Sequence, residues 1–181
     1  MRRRRSLRKD AVADPTSTES IERAVHEALD AVGARYTVMP CDPALADTAA
    51  FCAHYGIEPA KSANAILIAS RKEPKKYAVC LVLATTKLDV NKKVAELLGV
   101  KKLSFASGDE TVALTGMMIG GVTPFAIPAD VPIYVDSRIV ALDEVVIGGG
   151  SRSSKLRIAP EIFTRIPGVQ VIERLALERE T

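Results

Sequence analysis

The chain has 181 residues, 48% of them apolar, which is enough for one domain with a sizeable core. With 4% aromatic residues and no Trp, that core has to be built from Ala, Val, Ile and Leu, and no apolar run approaches the roughly 18 residues of a membrane span, so a soluble chain is expected. The net charge of +3 hides a division: residues 1–10 hold six Lys/Arg and one Asp, a net of +5, whereas residues 11–181 hold 19 Lys/Arg against 21 Asp/Glu, a net of −2.

Taken in chain order, residues 1–15 read as a disordered basic tail ahead of a single domain over 16–181. Arg2 to Arg5 resemble the n-region of a signal peptide, but "KDAVADPTSTES" stands where the apolar stretch should follow. A solvated tail and an arm that helps to hold a polyanion are both open readings. "TSTESIERAVHEALDAVG" pairs Thr16 with Glu19 in capping-box spacing and repeats Ile21, Val25, Leu29 and Val32 before Gly33, which predicts an amphipathic helix. "RYTVMP" reads as a short strand closed by Pro40, and "DTAAFCAHYG" as a helix capped by Asp47 and stopped by Gly56.

"AKSANAILIAS" and "KKYAVCLVLA", joined by the charged "RKEPKK", predict a hairpin. A helix from Asp89 to Gly99 and a strand over 103–106 follow. "SGDETVALTG" predicts a helix capped by Ser107 or Asp109 and ended by Gly116. "VPIYVD", "EVVIGGG" and "KLRIA" read as strands, "PEIFTRI" as a last helix and "VQVIERL" as a closing strand. Strands come in pairs and triplets without strict alternation with helices, so a doubly wound parallel sheet is disfavoured. The expected fold is a mixed α/β (α+β) single domain, with a curved, mixed, barrel-like sheet and short helices packed on its outside.

Cys41, Cys52 and Cys80 are odd in number and lack CxxC spacing, which argues for reduced thiols in a cytoplasm and against a disulfide frame or a zinc site. His26 and His54 fall in helical patterns with no nearby Cys or His, so a metal role is not expected. The segment "TGMMIGGVTP" lacks the Lys-Ser/Thr of a phosphate loop, and "VVIGGGSRSSK" lacks GxGxxG spacing. There is no GxSxG elbow and no HExxH. Each glycine loop is explained by a tight turn. For Gly120-Gly121 a second reading exists, because the extended Val122-Thr123-Pro124 pins one side of the pair. Consecutive backbone N–H groups held outward there would serve as an oxyanion hole. Lys61 stands where a polar loop passes into an apolar strand. It either snorkels into solvent or points an ammonium at an ester or phosphate oxygen.

"AKSANAILIA", "KLDVNKKVAELLGVKKLSFA", "TGMMIGGVTPFAIPADVPIYVD" and "VVIGGGSRSSKLRIAPEIF" together resemble the YbaK/EbsC family, freestanding relatives of the editing domain inserted in bacterial prolyl-tRNA synthetases. The resemblance spans roughly residues 20–175. It implies a single mixed α/β domain that hydrolyses the ester of mischarged aminoacyl-tRNA, with Cys or Ala cleared from the proline tRNA, and without metal or organic cofactor. Lys61 falls on the family's essential lysine, taken to hold the terminal adenosine or the ester region. Gly116, Gly120 and Gly121, with Thr123 beside them, fall on the loop that bounds the aminoacyl pocket, and Asp136, which ends the strand after it, is carried over from the same resemblance as a substrate-binding residue.

The chain departs from the family pattern at three places. Cys41 stands where the Cys-specific branch has a tyrosine, and Lys155 where it has an aspartate. The glycine loop also lacks the histidine of the Ala-specific branch. Cys41 and Lys155 are thus pocket candidates, and the amino acid removed stays open. A protein nucleophile is not expected, since no motif ties a Ser to either histidine. Transfer RNA, gripped through phosphates by Lys75-Lys76, Lys92-Lys93, Lys101-Lys102 or the arginine tail, is the expected partner, and a synthetase is a possible second one. A monomer is favoured, and a membrane partner is not expected. Two other readings are a binding module that keeps the pocket without turnover, and a hydrolase of some other small acyl ester.

Overall fold

The computed structural model describes Asp14 and residues 17–179; the arginine tail and Thr16 lie outside them. Helix α1 (Thr18–Ala31) buries Ile21, Val25 and Leu29 as the period requires, and its cap is Ser17, whose hydroxyl accepts from the Ser20 N–H. In chain order there follow β1 (Tyr36–Pro40), α2 (Thr48–Tyr55), β2 (Ala63–Ser70), β3 (Tyr77–Leu83), β4 (Thr86–Leu88), α3 (Ala95–Leu98), β5 (Leu103–Phe105) and α4 (Gly108–Thr115). The chain continues through β6 (Ile133–Asp136), α5 (Ser137–Val140), β7 (Val145–Gly148), β8 (Ser154–Ile158), β9 (Val169–Ile172) and β10 (Ala176–Glu178).

Five strands form the central sheet in the order β5-β2-β3-β6-β9, antiparallel from β5 to β3 and parallel from β3 to β9. Strand β3 shows why its sequence reads as one continuous apolar run. Val79 and Leu81 face the core under α1, while Ala78, Cys80 and Val82 face a second core under α3, β4 and β10. A sheet covered on both faces has no polar side to alternate with. A second, antiparallel sheet β1-β8-β7 is tied to the first by one parallel bridge, Ser62 to Val146. The sheets wrap the main core without closing, so the barrel-like form expected from the sequence is an open one.

Two other expectations are refined. The segment 89–99 starts at an Asp89 cap and stops at Gly99, but its first turn, Val90–Val94, is π-helical. The "PEIFTRI" segment winds as a 3-10 turn, Pro160–Thr164. Around α2 a small third core gathers Cys41, Ala46, Phe51, Cys52 and Val146, and its Ala46 lies against Gly120 of the first glycine loop.

Candidate active site

Helix α4 ends where the sequence says it should. Ser107 and Glu110 close a capping box at its start, and Gly116 stops it at φ +72°, a left-handed conformation that favours glycine. Gly116 therefore ends the helix, and it does not line the cavity beside Gly120. The chain then turns through 117–121, with Met117 buried as an anchor and the Gly121 N–H donating to the Met118 carbonyl at 2.9 Å.

The second glycine loop, 148–153, lies against the first, backbone to backbone. The Gly150 N–H donates to the Gly121 carbonyl at 2.7 Å. A Cβ on Gly121 would stand 2.2 Å from the Ser151 carbonyl oxygen, and one on Gly148 would stand 2.3 Å from that of Val122. Glycine at these positions is what lets the two loops touch. Glu22 of α1 holds the second loop from behind, accepting hydrogen bonds from the hydroxyls of Ser151 and Ser154.

Two cations hold the first loop from inside. Lys155, 6% exposed, donates from Nζ to the carbonyls of Ala46 (2.7 Å) and Gly120 (2.6 Å), and its ammonium sits 5.3 Å from the Phe51 ring centroid. Arg152 donates from Nη1 to the Ile119 carbonyl at 2.8 Å and from Nε to the Pro43 carbonyl at 3.0 Å, and it pairs with Asp47 at 3.3 Å. Burial pushes the Lys155 ammonium below the usual lysine value, and the nearby Arg152 adds to the fall. Cys41, buried beside them, is pushed the other way by burial, with Lys155 opposing.

These clamps set the direction of the peptides. In a trans peptide the N–H points opposite to the C=O of the same plane. With the Ile119 carbonyl turned to Arg152, the Gly120 N–H points away from the guanidinium. It makes no hydrogen bond among the described residues. Ile119 and Gly120 also wall a cavity of about 250 Å³, together with Ala65, Leu67, Phe105 and Thr111. The sequence suggested two outward amides; the Gly121 amide is committed to its turn, and the Gly120 N–H is left without a hydrogen-bond partner among the described residues.

The other candidates separate. Lys61 closes a 3-10 turn (Pro59–Lys61) immediately before β2; its side chain is half exposed and lies 3.6 Å from Glu58. No hydrogen bond or ion pair joins Lys61 to the glycine loop. The link is structural, through the Ser62–Val146 bridge, two residues along β7 from the Gly148–Lys155 pair. Thr123 is fully buried, and its hydroxyl has no hydrogen-bond partner among the described residues.

Asp136, carried over as a substrate-binding residue, is engaged within the fold. Its carboxylate, 0% exposed, accepts from Arg138 N, Nε and Nη2 and from the Ala176 N–H, at 2.8 to 3.1 Å. Burial alone would raise its pKa, but these donors outweigh it and hold the carboxyl below the usual aspartate value. The residue caps α5 and ties β6 to β10.

Sequence reasoning passed over Arg152 and read Asp47 only as a helix cap. Asp47 makes no side-chain cap hydrogen bond and pairs instead with Arg152. The signal available was an arginine in the loop just after a glycine triplet.

The family of the aminoacyl-tRNA editing domain matches residues 42–166, a span that contains Lys61, both glycine loops, Arg152 and Lys155. The chain belongs to the aminoacyl-tRNA editing domain family. EbsC of Enterococcus faecalis, named as a candidate Cys-tRNA(Pro)/Cys-tRNA(Cys) deacylase, is 25% identical over 95 residues, 52% of this chain and 57% of EbsC. YwhH of Bacillus subtilis, an uncharacterized protein, is 34% identical over 85 residues, 46% of this chain and 53% of YwhH. The chain thus matches little more than half the length of these relatives. A solved structure described as a candidate trans-editing enzyme for prolyl tRNA synthetase shares the fold, with a TM-score of 0.72 at 24% identity over 92% of this chain and 99% of that one.

Proposed function

We propose that this editing-domain chain hydrolyses the ester of a mischarged aminoacyl-tRNA, with Cys- or Ala-tRNA(Pro) as substrate, and that it does so without a protein nucleophile. The observation that carries this reading is the clamped Ile119–Gly120 peptide. Arg152 fixes its carbonyl and the buried Lys155 fixes the next one, that of Gly120, leaving the Gly120 N–H held beside a cavity wall. A donor held in that way costs no reorganisation when charge develops on the ester carbonyl oxygen, and one such donor is worth on the order of 10²–10³ in rate.

Among the described residues no histidine hydrogen-bonds a serine or cysteine. His26 stacks on Tyr36, and His54 meets the Tyr55 ring edge-on. The attack accordingly falls to water, with a group on the substrate itself as the alternative source of activation. The water oxygen bonds to the ester carbon, the bond from that carbon to the ribose oxygen breaks, and the ribose hydroxyl leaves with the proton. Lys61, free on one side, holds the phosphate or ribose of the terminal nucleoside. Lys155 and Cys41 shape the floor beneath the loop rather than contacting the reacting atoms.

On this reading the chain acts as a monomer on cytoplasmic tRNA, with a prolyl-tRNA synthetase as the natural source of the mischarged substrate. No helix of the described residues is long and apolar enough to cross a membrane. The test is deacylation of proline tRNA charged with Cys, Ala or Pro. Loss of Cys or Ala with Pro retained is the expected result. Retention of all three, with the charged tRNA bound, would make the chain a binding module instead.

A further inference from the structure

Strand β2, largely buried, sets the spacing of a line along the neighbouring edge strand β5. Lys61 lies two residues before β2, Ala65 and Leu67 wall the Gly120 cavity, and Ile68 pairs with Phe105 on the edge strand β5. At the far end of β2 Ser70 lines a cleft with Lys72, Lys76, Lys101 and Lys102. From Ala65 to Ser70 is about 17 Å at the rise of a strand, the reach of a few nucleotides.

Three features of this line stand together. Residues 71–76 and 101–102 hold six cations against one carboxylate, Glu73, all of them exposed, in a body whose charge over residues 11–181 is net −2. Of the three lysine pairs suggested by the sequence, two lie on this line, and they differ. Lys75 is engaged by Glu110 and Lys76 reaches the Leu98 carbonyl, whereas Lys101 and Lys102 carry no ion pair among the described residues. Between the basic cleft and the Gly120 cavity stands Phe105, 61% exposed, with Met118 and Ile119 exposed on the loop beyond it. An aromatic face presented to solvent between a cationic cleft and a cavity is the arrangement that stacks bases of a single strand while lysines hold its phosphates.

We propose that the β5 edge is the track of the RNA 3′ arm. Lys101 and Lys102 hold backbone phosphates, Phe105 stacks a base of the single-stranded end, and the terminal nucleoside is delivered to the cavity at Gly120. The proposal rests on the aminoacyl-tRNA reading above and extends it to the path of the substrate.

The test uses uncharged RNA, so that binding is read apart from hydrolysis. A hairpin duplex with a single-stranded 3′ extension, and the same duplex cut blunt, are titrated at several salt concentrations. The proteins are wild type, Phe105→Ala, Lys101→Ala/Lys102→Ala and, as a cation outside the line, Arg35→Ala. The wild type binds the extended hairpin more tightly than the blunt one. Phe105→Ala removes most of that difference, a loss of roughly five- to a hundredfold on the extended hairpin. The double lysine variant weakens both RNAs roughly ten- to a hundredfold at low salt and makes the log–log salt slope shallower by about 2. Arg35→Ala changes nothing.

An unchanged slope in the lysine variant overturns the track, as does a wild type indifferent to the extension. RNA binding that survives both variants while binding to a prolyl-tRNA synthetase is lost would make this edge a protein interface. Binding as expected with no deacylation would support the track and remove only the hydrolase.

Discussion

Asp136 is the residue for which the family resemblance and the structure make opposite predictions. As a pocket residue it would matter for turnover; as built here it holds β6, α5 and β10 together. Asp136→Asn keeps one oxygen for Arg138 N and Nε, and places an amide NH₂ where Oδ2 now accepts from Arg138 Nη2 at 2.9 Å and the Ala176 N–H at 3.0 Å. Ala176 is buried, so its N–H loses its partner with no water to replace it. The Arg138 side chain is one-third exposed and keeps Glu178 and the Ala176 carbonyl, so it partly rehydrates. Breaking a buried pair costs 3–5 kcal/mol, and this exposure places the variant at the low end, about 3 kcal/mol. In a domain of this size that lowers Tm by about 6–12 °C. Thermal unfolding, with deacylation measured on the folded fraction, decides the matter. The expected result is a large fall in Tm with kcat/KM within about twofold of wild type. An unchanged Tm with lost activity would refute the reasoning and return Asp136 to the substrate pocket.

The same carboxyl carries a pH signature. Its folded pKa lies below the ordinary value of 3.8, so its contribution is complete above that value and is lost as pH falls through the folded pKa. Wild-type stability should therefore drop more steeply below about pH 4 than that of Asp136→Asn, as acid unfolding midpoints would show. Gly121→Ala places a methyl group 2.2 Å from the Ser151 carbonyl; overpacking of that kind costs about 1–3 kcal/mol, and prying the loops apart should cut deacylation at least tenfold, whereas wild-type turnover would disprove the loop contact. Thr123→Val removes a buried hydroxyl that has no partner, so urea unfolding should show a gain of about 1 kcal/mol; a destabilised variant would mean that the hydroxyl is bonded.

Much of the fold was legible because its signals are local. The α1 period, the Gly33, Gly56, Gly99 and Gly116 stops and the β2–β3 hairpin can each be read within some twenty residues. Strands β4 and β10 were not legible, because 86–88 and 176–178 become strands only by pairing with each other across nearly ninety residues. Helix α5 was hidden because Asp136 both ends a strand and caps the turn that follows. At the site, Gly120, Gly121, Cys41 and Lys155 could be singled out from the chain. The partners of Arg152 and of Lys155 could not. Both side chains reach backbone carbonyls about thirty or more residues away, and carbonyls leave no mark on a sequence.

The central claim is that a preorganised Gly120 amide and the Lys61 ammonium act on an aminoacyl ester without a protein nucleophile. Single-turnover deacylation of Cys- and Ala-tRNA(Pro) by wild type and Lys61→Ala tests it most directly, since Lys61 is half exposed and its removal should leave Tm unchanged. The account predicts hydrolysis by the wild type and its loss, on the order of a hundredfold or more, in a variant that remains folded. A folded Lys61→Ala variant with full activity would contradict it.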